Sequence, residues 1–465
     1  MPESTHDVSQ LTALILAAGK GTRMKSALPK VLHRIAGEPL IGHVLATVER
    51  LGISRTVAIV GHGAEQVRAA LSEAVQTVEQ REQLGTAHAV LQAESALAGF
   101  TGEVVILSGD VPLLSPETLL AMLDTHRKAG AALTALTFKP QDPSRYGRIV
   151  RDAAGHLSRI VEYKDATEAE REIGEVNAGV YLADWPQLLA ALKGIGNDNA
   201  QGEYYLPDAV TALNAKGLVV AAYATDDEIE VAGVNTRLEL VALGEAYQER
   251  AARQWLEAGV TIESPRTTWI GPRVSLGEDT VVESGVQLYG RTRVGSGCRI
   301  GAHSQLIDAV LGDDVTILQS YLSESAVGDG TIVGPFAHLR NGAEIGTNCR
   351  IGNFVEVKGS VFGDGAKASH LAYIGDASVG AKANIGAGTI TCNYDGERKH
   401  RTTIGEGSFV GSNNTLVAPV TIGAGAYTAA GSTITQDVPD GALAFGRARQ
   451  AVKLGWAMQR KGIKQ

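Results

Sequence analysis

Two different rhythms of apolar and polar residues divide the chain. In the first half, short apolar runs at Ala13–Ala17, Thr56–Val60, Glu103–Leu107 and Ala132–Phe138 read as buried strands. Between them, Leu40–Leu51 and Ala64–Ala74 carry helical patterning. Strand and helix alternating at this spacing predict a parallel or mixed sheet covered on both faces, a Rossmann-like α/β domain. Ligands of such sheets bind at the carboxyl ends of the strands. From Thr236 to Gly259 the chain is rich in Leu, Ala, Glu and Arg without an internal Pro, which predicts one long helix, a connecting arm.

Beyond the arm the period becomes six. Ile270, Leu276, Val282, Leu288, Val294 and Ile300 fall in phase, and Gly follows four of them directly, at Gly271, Gly277, Gly295 and Gly301. After an irregular patch the phase returns with Val333, Leu339, Ile345, Ile351 and Val357, and again with Ile404, Val410, Leu416, Ile422 and Ile434. Six is neither a helical nor an ordinary strand period; it is that of a parallel β-helix of hexapeptide repeats, with an aliphatic residue pointing inward at each repeat. Thr391–Thr403 interrupts it as a polar loop, and Ala448–Gln465 leaves it as a basic tail. The domains are therefore expected at 1–235, 236–260 (linker helix) and 261–465.

Composition sharpens this picture at three points. With 465 residues the chain is too long for one ordinary core. Its 55 glycines and 5% aromatic content suit a solenoid whose corners turn on small residues. Its net charge of −9 argues against sequence-independent nucleic-acid binding, so any phosphate ligand must meet locally placed basic residues. Three scattered cysteines, Cys298, Cys349 and Cys392, form no CxxC pair and imply a reducing compartment without structural zinc. A polar N-terminus and no apolar run of membrane-spanning length place the protein in the cytoplasm, with no membrane partner.

The strongest local motif is Leu16-Ala17-Ala18-Gly19-Lys20-Gly21-Thr22-Arg23-Met24 followed by Leu28-Pro29-Lys30. A strand feeds a Gly-rich loop whose amides can wrap a polyphosphate, and Arg23 and Lys30 add positive charge. It is neither a P-loop nor GxGxxG. The string resembles the signature of nucleotidyltransferases that make nucleotide sugars. Gln80 with Gln83-Leu84-Gly85-Thr86 resembles their pyrimidine-reading segment, and Gly109-Asp110-Val111-Pro112-Leu113 their metal-aspartate loop. Tyr146-Gly147-Arg148, Glu162-Tyr163-Lys164-Asp165-Ala166 and Glu175-Val176-Asn177-Ala178-Gly179 resemble the sugar-binding segments. Val231-Ala232-Gly233-Val234-Asn235 resembles the loop whose Asn completes the metal site. The resemblance implies UTP and sugar binding by Leu16, Ala17, Ala18, Gly19, Lys30, Gln80, Gly85, Thr86, Gly147, Glu162, Asn177 and Asn235. It implies Mg²⁺ on Asp110 and Asn235, with Arg23 and Lys30 neutralising phosphate charge. Ser108 stands where some relatives carry Tyr, so it is left outside this set.

The β-helix adds Gly334-Pro335-Phe336-Ala337-His338-Leu339-Arg340, Gly352-Asn353-Phe354-Val355-Glu356-Val357-Lys358, Ser369-His370-Leu371-Ala372-Tyr373-Ile374-Gly375-Asp376, Asn384-Ile385-Gly386-Ala387-Gly388-Thr389 and Cys392-Asn393-Tyr394-Asp395-Gly396. With Gly411-Ser412 and Ala418-Pro419-Val420, these segments resemble a bacterial family of bifunctional enzymes. These are the N-acetylglucosamine-1-phosphate uridyltransferases / glucosamine-1-phosphate acetyltransferases, and nearly all of Leu11–Arg447 matches. That resemblance implies a left-handed β-helix that forms homotrimers and takes acetyl-CoA and glucosamine-1-phosphate. It implies His370 as the base, Arg340, Lys358, Tyr373 and Asn384 on the sugar phosphate, and Ala387, Asn393, Tyr394, Ser412, Ala430 and Arg447 on acetyl-CoA. It also implies a product used for peptidoglycan and lipopolysaccharide precursors. Cys392 reads as a loop residue without a covalent role, and Asn413 and Asn414 as solenoid turns. The basic tail (Arg447, Arg449, Lys453, Arg460, Lys461 and Lys464) either meets CoA phosphates or is solvated. Two rival readings are a monofunctional pyrophosphorylase whose β-helix only assembles or regulates, and a non-enzymatic scaffold. The first leaves the His370, Lys358, Tyr373 and Asn393-Tyr394 set unexplained; the second predicts loss of Arg23, Lys30 or Asp110, and all three are present.

Overall fold

The computed structural model describes residues 7–143 and 146–460. It divides into two compact units, Met1–Arg250 and Ala251–Gln465. Tail residues Lys461 and Lys464 lie outside the described residues.

In the first unit the buried runs become β1 (Leu11–Ala17), β2 (Arg55–Val60), β3 (Gln76–Glu79), β4 (Glu103–Ser108), β5 (Leu133–Phe138), β6 (Arg148–Arg151), β7 (Leu157–Val161), β8 (Val176–Asp184) and β9 (Val220–Thr225). They form one sheet in the order β9-β5-β8-β4-β1-β2-β3, with β6 and β7 attached beside β8. β1 pairs in parallel with β2 and β4, whereas β8 runs antiparallel to β4 and β5, so the sheet is mixed. The strand interiors are apolar on both faces because helices cover both: Ala13 and Ile15 of β1 join one buried cluster and Leu14 the other. Two helices matter for the site. One, Thr86–Leu91, follows Gly85; the other, Arg237–Glu257, follows Asn235. The last four residues of the Ala64–Ala74 expectation are not helical: the helix ends at Ala70, and Leu71 is extended.

In the second unit, parallel strands stack coil upon coil as a left-handed β-helix of hexapeptide repeats. Ile270 pairs with Leu288, Leu276 with Val294 and Val282 with Ile300, so eighteen residues, three repeats, make one coil. The inward residues form one continuous core. The irregular patch after Ile300 is not a break in the solenoid. Val294 pairs with Leu311 and Leu311 with Val327, so these coils are one and two residues shorter and shift the phase without ending the stack. Val379 pairs with Ile404, seven residues beyond a full coil, because the polar insertion leaves the wall there. Two strands are long enough to turn a corner: β10 (Arg350–Lys358) and β11 (Lys367–Gly375), which pair along their lengths. Among the described residues, no helix is long and apolar enough to cross a membrane.

Candidate active sites

At the carboxyl end of β1 the backbone leaves the sheet at Ala17 and Ala18, both buried, and emerges at exposed Gly19. Gly21 has φ +58°, and a Cβ there would lie 2.7 Å from Lys30 Cβ, so glycine lets the loop fold back upon the Leu28-Pro29-Lys30 segment. A 3-10 turn over Thr22–Met24 buries Met24 and leaves Arg23 outside.

Three chain segments then converge. The Lys30 ammonium contacts Asp110 Oδ2 and lies 3.1 Å from Asn235 Oδ1, while Arg23 Nη2 donates to the same Asn235 oxygen at 2.9 Å. Ser108 Oγ donates to Asp110 Oδ1 at 2.6 Å, so the residue left outside the expected set orients the carboxylate at its centre. Val234 N–H donates to the Asp110 carbonyl at 2.9 Å, tying the two loops together. At the entry to the long helix, Glu239 Oε2 accepts from the N–H groups of Asn235 (2.7 Å) and Thr236 (2.9 Å), and Glu239 N–H donates to Thr236 Oγ1. This reciprocal capping box fixes Asn235.

The convergence lies between two cavities. One, of about 260 Å³, is lined by Leu16, Ala17, Ala18, Gly19, Lys30, Gln80, Gly85, Thr86 and Asp110. The other, of about 670 Å³, includes Leu16, Arg23, Thr86, Ser108, Glu162, Asn177 and Asn235. Gln80 is buried and donates to the Gly85 carbonyl at 3.0 Å. Gly85 has φ +113°, and a Cβ there would lie 2.4 Å from the Tyr204 carbonyl oxygen. Asn177 Nδ2 donates to the phenol of buried Tyr181 at 2.7 Å, and Asn177 N–H to the Gly147 carbonyl at 2.9 Å. A Cβ on Gly147 would crowd Glu162 Oε1 at 3.3 Å, so glycine keeps that carboxylate accessible. Burial, reinforced by Asp165, Asp208 and Glu203, pushes the Glu162 carboxyl above its ordinary range.

The donor set fits a hard divalent cation. Asp110 and Asn235 present oxygens to one point, and a positive group, the Lys30 ammonium, already lies between them. No group of three His, Cys, Asp or Glu suited to a metal occurs among the described residues. Two protein oxygens, completed by water and phosphate oxygens, are the coordination that Mg²⁺ favours.

In the β-helix, Asn353 of β10 and His370 of β11 are register partners, and His370 Nδ1 lies 2.7 Å from Asn353 Oδ1. Continuing the register, the next coils bring Ala387, Ser412 and Ala430 into the same column; Gly388 N–H bonds Leu371 O, Asn413 N–H bonds Ala387 O, and Gly431 N–H bonds Ser412 O. A second group lies past the corner of β10 and β11. Arg340 pairs with Glu356 at 2.6 Å, and Lys358 with Asp376 at 3.1 Å. Asn393 Nδ2 donates to Asp376 Oδ2 at 2.5 Å and lies 3.5 Å from the Tyr373 phenol. Lys399, which sequence reasoning missed, comes beside Lys358 from the insertion; the neighbouring ammonium pushes its own proton affinity down. The insertion is closed by an antiparallel bridge between Tyr394 and Lys399 and by Asp395 accepting from His400 at 2.6 Å.

Some expected residues are not brought together. Asn384 pairs with Lys367 and Phe409, in a different row from Glu356 and Tyr373, whereas Arg447, exposed, follows the last strand, Leu443–Ala444, which stacks on the coil of Ala430. Cys392 is not a loop residue: it ends the strand Ile390–Cys392, because the coil completes its pairing before the insertion leaves. Asn413 turns a corner at φ +56°, but Asn414 points inward, fully buried, and donates to the carbonyls of Gly411 and Ala429.

Residues 13–192 match a family described as MobA-like NTP transferase domain, and 324–359 and 401–436 match one described as bacterial transferase hexapeptide (six repeats). Along almost its whole length the chain is similar to proteins named Bifunctional protein GlmU. It is 53% identical to that of Anaeromyxobacter dehalogenans (strain 2CP-C), over 98% of this chain and 94% of that protein. It is 49% identical to that of Geobacillus thermodenitrificans, over 97% and 99%, and 48% identical to that of Exiguobacterium sibiricum, over 95% and 98%. The chain belongs to the GlmU family. Membership spans both units, so the GlmU match includes the Lys30–Asp110–Asn235 convergence and the His370 column in one chain. The capping box at Thr236–Glu239 was readable as T-x-x-E, but Asn353 carries no sequence signal beyond lying in a matched segment, and Lys399 lies in the polar insertion between the two hexapeptide matches.

Proposed function

We infer that this chain is a bifunctional enzyme of UDP-N-acetylglucosamine synthesis. It N-acetylates glucosamine-1-phosphate from acetyl-CoA and then transfers uridylyl from UTP to the product, releasing pyrophosphate. The observation that carries the first unit's role is the meeting of Arg23, Lys30, Asp110 and Asn235 between two cavities at the carboxyl end of the sheet.

In the uridylyl site, the smaller cavity takes the nucleotide, with Gln80 and Gly85 at the base and the Leu16–Gly19 amides along the phosphates. The larger takes the sugar, with Glu162 and Asn177 accepting and donating to its hydroxyls. The sugar phosphate oxygen attacks the α-phosphorus and pyrophosphate leaves; no protein nucleophile is needed. Arg23 and Lys30 align the phosphates and neutralise charge as it moves to the leaving group. Mg²⁺ held by Asp110 and Asn235 would add Lewis-acid charge stabilisation at the phosphates.

In the acetyl site, His370 removes a proton from the glucosamine amine as the amine attacks the thioester carbonyl, and CoA leaves as the thiol. Arg340, Lys358 and Lys399 hold the sugar phosphate and Tyr373 orients the sugar; Asn393, expected on acetyl-CoA, sits beside Tyr373 and Asp376 and is placed with the sugar instead, while Tyr394 and the column Ala387–Ser412–Ala430 line the CoA groove. Asn384 lies in another row of the same chain, whereas Arg447 follows the strand that stacks on the Ala430 coil. We therefore place Asn384 in a site completed by a neighbouring copy, in a homotrimer, and Arg447 at the end of the CoA groove, where its guanidinium meets the CoA phosphates. The two activities are assigned to 1–235 and 261–465, with 236–260 as the connecting helix, and the protein to the cytoplasm. The relatives match through both halves and are bifunctional by name, which favours this over a β-helix that only assembles.

The test is an assay of both half-reactions on one preparation. His370→Ala should abolish CoA release from acetyl-CoA and glucosamine-1-phosphate while uridylyl transfer persists, and Asp110→Ala should do the reverse. Loss of the same activity in both variants would refute the division of labour.

A further inference from the structure

A histidine acts as a base only with an unprotonated ring nitrogen facing its substrate, and the bond made by the other nitrogen decides which one that is. His370 is exposed, so packing does not hold its ring. Among the described residues, Asn353 Oδ1 lies 2.7 Å from Nδ1 and is placed to accept its hydrogen bond. A carbonyl oxygen only accepts, so this contact selects the neutral tautomer with the proton on Nδ1 and the lone pair on Nε2. The backbone makes this geometry repeatable: Asn353 and His370 face one another as register partners on paired strands. Gly352 brings those strands together, since a Cβ there would lie 1.9 Å from the Ser369 carbonyl oxygen.

Resting on the reading of His370 as the base, we propose that Asn353 is the positioning residue of the acetyl site, holding His370 in the Nδ1–H tautomer with Nε2 directed to the amine. It touches no reacting atom. Its amide is neutral, so it orients the ring while favouring the imidazolium far less than a carboxylate there would. Titratable side chains on the two strands are Arg350, Glu356 and Lys358 on β10 and Lys367 and Tyr373 on β11; Glu356 and Lys358 are engaged with Arg340 and Asp376.

The experiment compares Asn353→Ala, Asn353→Asp and His370→Ala in the full chain, following CoA release against pH, uridylyl transfer as internal control, and the ring-nitrogen signals of His370 by ¹⁵N NMR. Asn353→Ala should lower kcat for acetyl transfer at least roughly ten-fold, part of the general-base contribution, with little change in KM. Uridylyl transfer and Tm should stay unchanged, and the ring should move from Nδ1–H toward Nε2–H. Asn353→Asp keeps an acceptor and should retain most of the rate, with the acidic limb of its pH profile moved to higher pH. A wild-type rate, profile and tautomer in Asn353→Ala, beside an inactive His370→Ala, would overturn the proposal and leave the base intact. An active His370→Ala would overturn both.

Discussion

The ammonium of Lys30 lies against the carboxylate of Asp110, 80 residues away along the chain, and the amide oxygen of Asn235 completes the contact. A cation thus holds together the two oxygens proposed for the metal. When UTP and Mg²⁺ arrive, Lys30 must exchange Asp110 for phosphate. Lys30→Ala is expected to lower kcat/KM for uridylyl transfer by about 10² or more, the scale of losing one preorganised charge in a transition state. Acetyl transfer should be unchanged. Steady-state assays of both half-reactions check this, and Mn²⁺ binding to the nucleotide-free variant should be no weaker than to the wild type, because the competing cation is gone.

Glu239 acts on the same point from the helix side. Its carboxylate receives the N–H groups of Asn235 and Thr236 and closes the capping box. Glu239→Ala removes one cap, about 1 kcal/mol on the usual scale, and frees the Asn235 backbone. We expect a modest fall in Tm of the first unit and a larger rise in the Mg²⁺ concentration needed for half-maximal uridylyl transfer. Glu239→Gln should restore part of the stability but less of the metal response.

Glu162 makes uridylyl transfer and stability depend on pH in a defined direction. Burial first, then Asp165, Asp208 and Glu203, raise its carboxyl above the ordinary carboxylate range. The folded state therefore holds this proton more tightly than the unfolded chain does. Above the raised folded value, the buried charge costs stability; as pH falls through it, the folded state takes the proton and the cost is relieved. Glu162→Gln should thus melt higher than wild type at neutral pH, with the gap closing as pH falls toward the ordinary carboxylate range. KM for the sugar phosphate should rise in the variant, because an amide replaces an acceptor-only group. Melting curves and KM across pH 4.5 to 8 test both.

The architecture was legible because it rests on periodicity. Alternating buried runs mark the sheet, and the six-residue phase from Ile270 marks the solenoid, since each inward position must be aliphatic. The patch after Ile300 reads as irregular because shortened coils alter spacing without altering the fold: Val294 meets Leu311, seventeen residues on. The motif residues of the first site were legible for the same local reason; a Gly-rich loop must follow a strand to meet phosphate. What holds those residues was not. Ser108 on Asp110, Asn353 beneath His370 and Lys399 beside Lys358 depend on register and on where an insertion folds back. Asn384 was assigned with the sugar group by resemblance, but within a single chain it lies in a different row from Tyr373, because its coil pairs it with Lys367 and Phe409.

Gly352 supplies a test of how far the acetyl site depends on the spacing of β10 and β11. A Cβ there would meet the carbonyl oxygen, carbonyl carbon and Cα of Ser369 at 1.9, 2.5 and 2.8 Å, all backbone atoms, so no side-chain rotation can make room. The strands must separate where Asn353 and His370 face each other. Gly352→Ala should cost roughly 1–3 kcal/mol, the range of overpacking, and reduce acetyl transfer while uridylyl transfer persists. Gly342→Ala is the control. At φ +75°, with nothing within 4 Å of an added Cβ, it meets only left-handed strain of about 1 kcal/mol and leaves the coil spacing alone. If the two variants lost stability equally but Gly352→Ala kept full acetyl transfer, close approach of the coils would not be what sets the Asn353–His370 geometry.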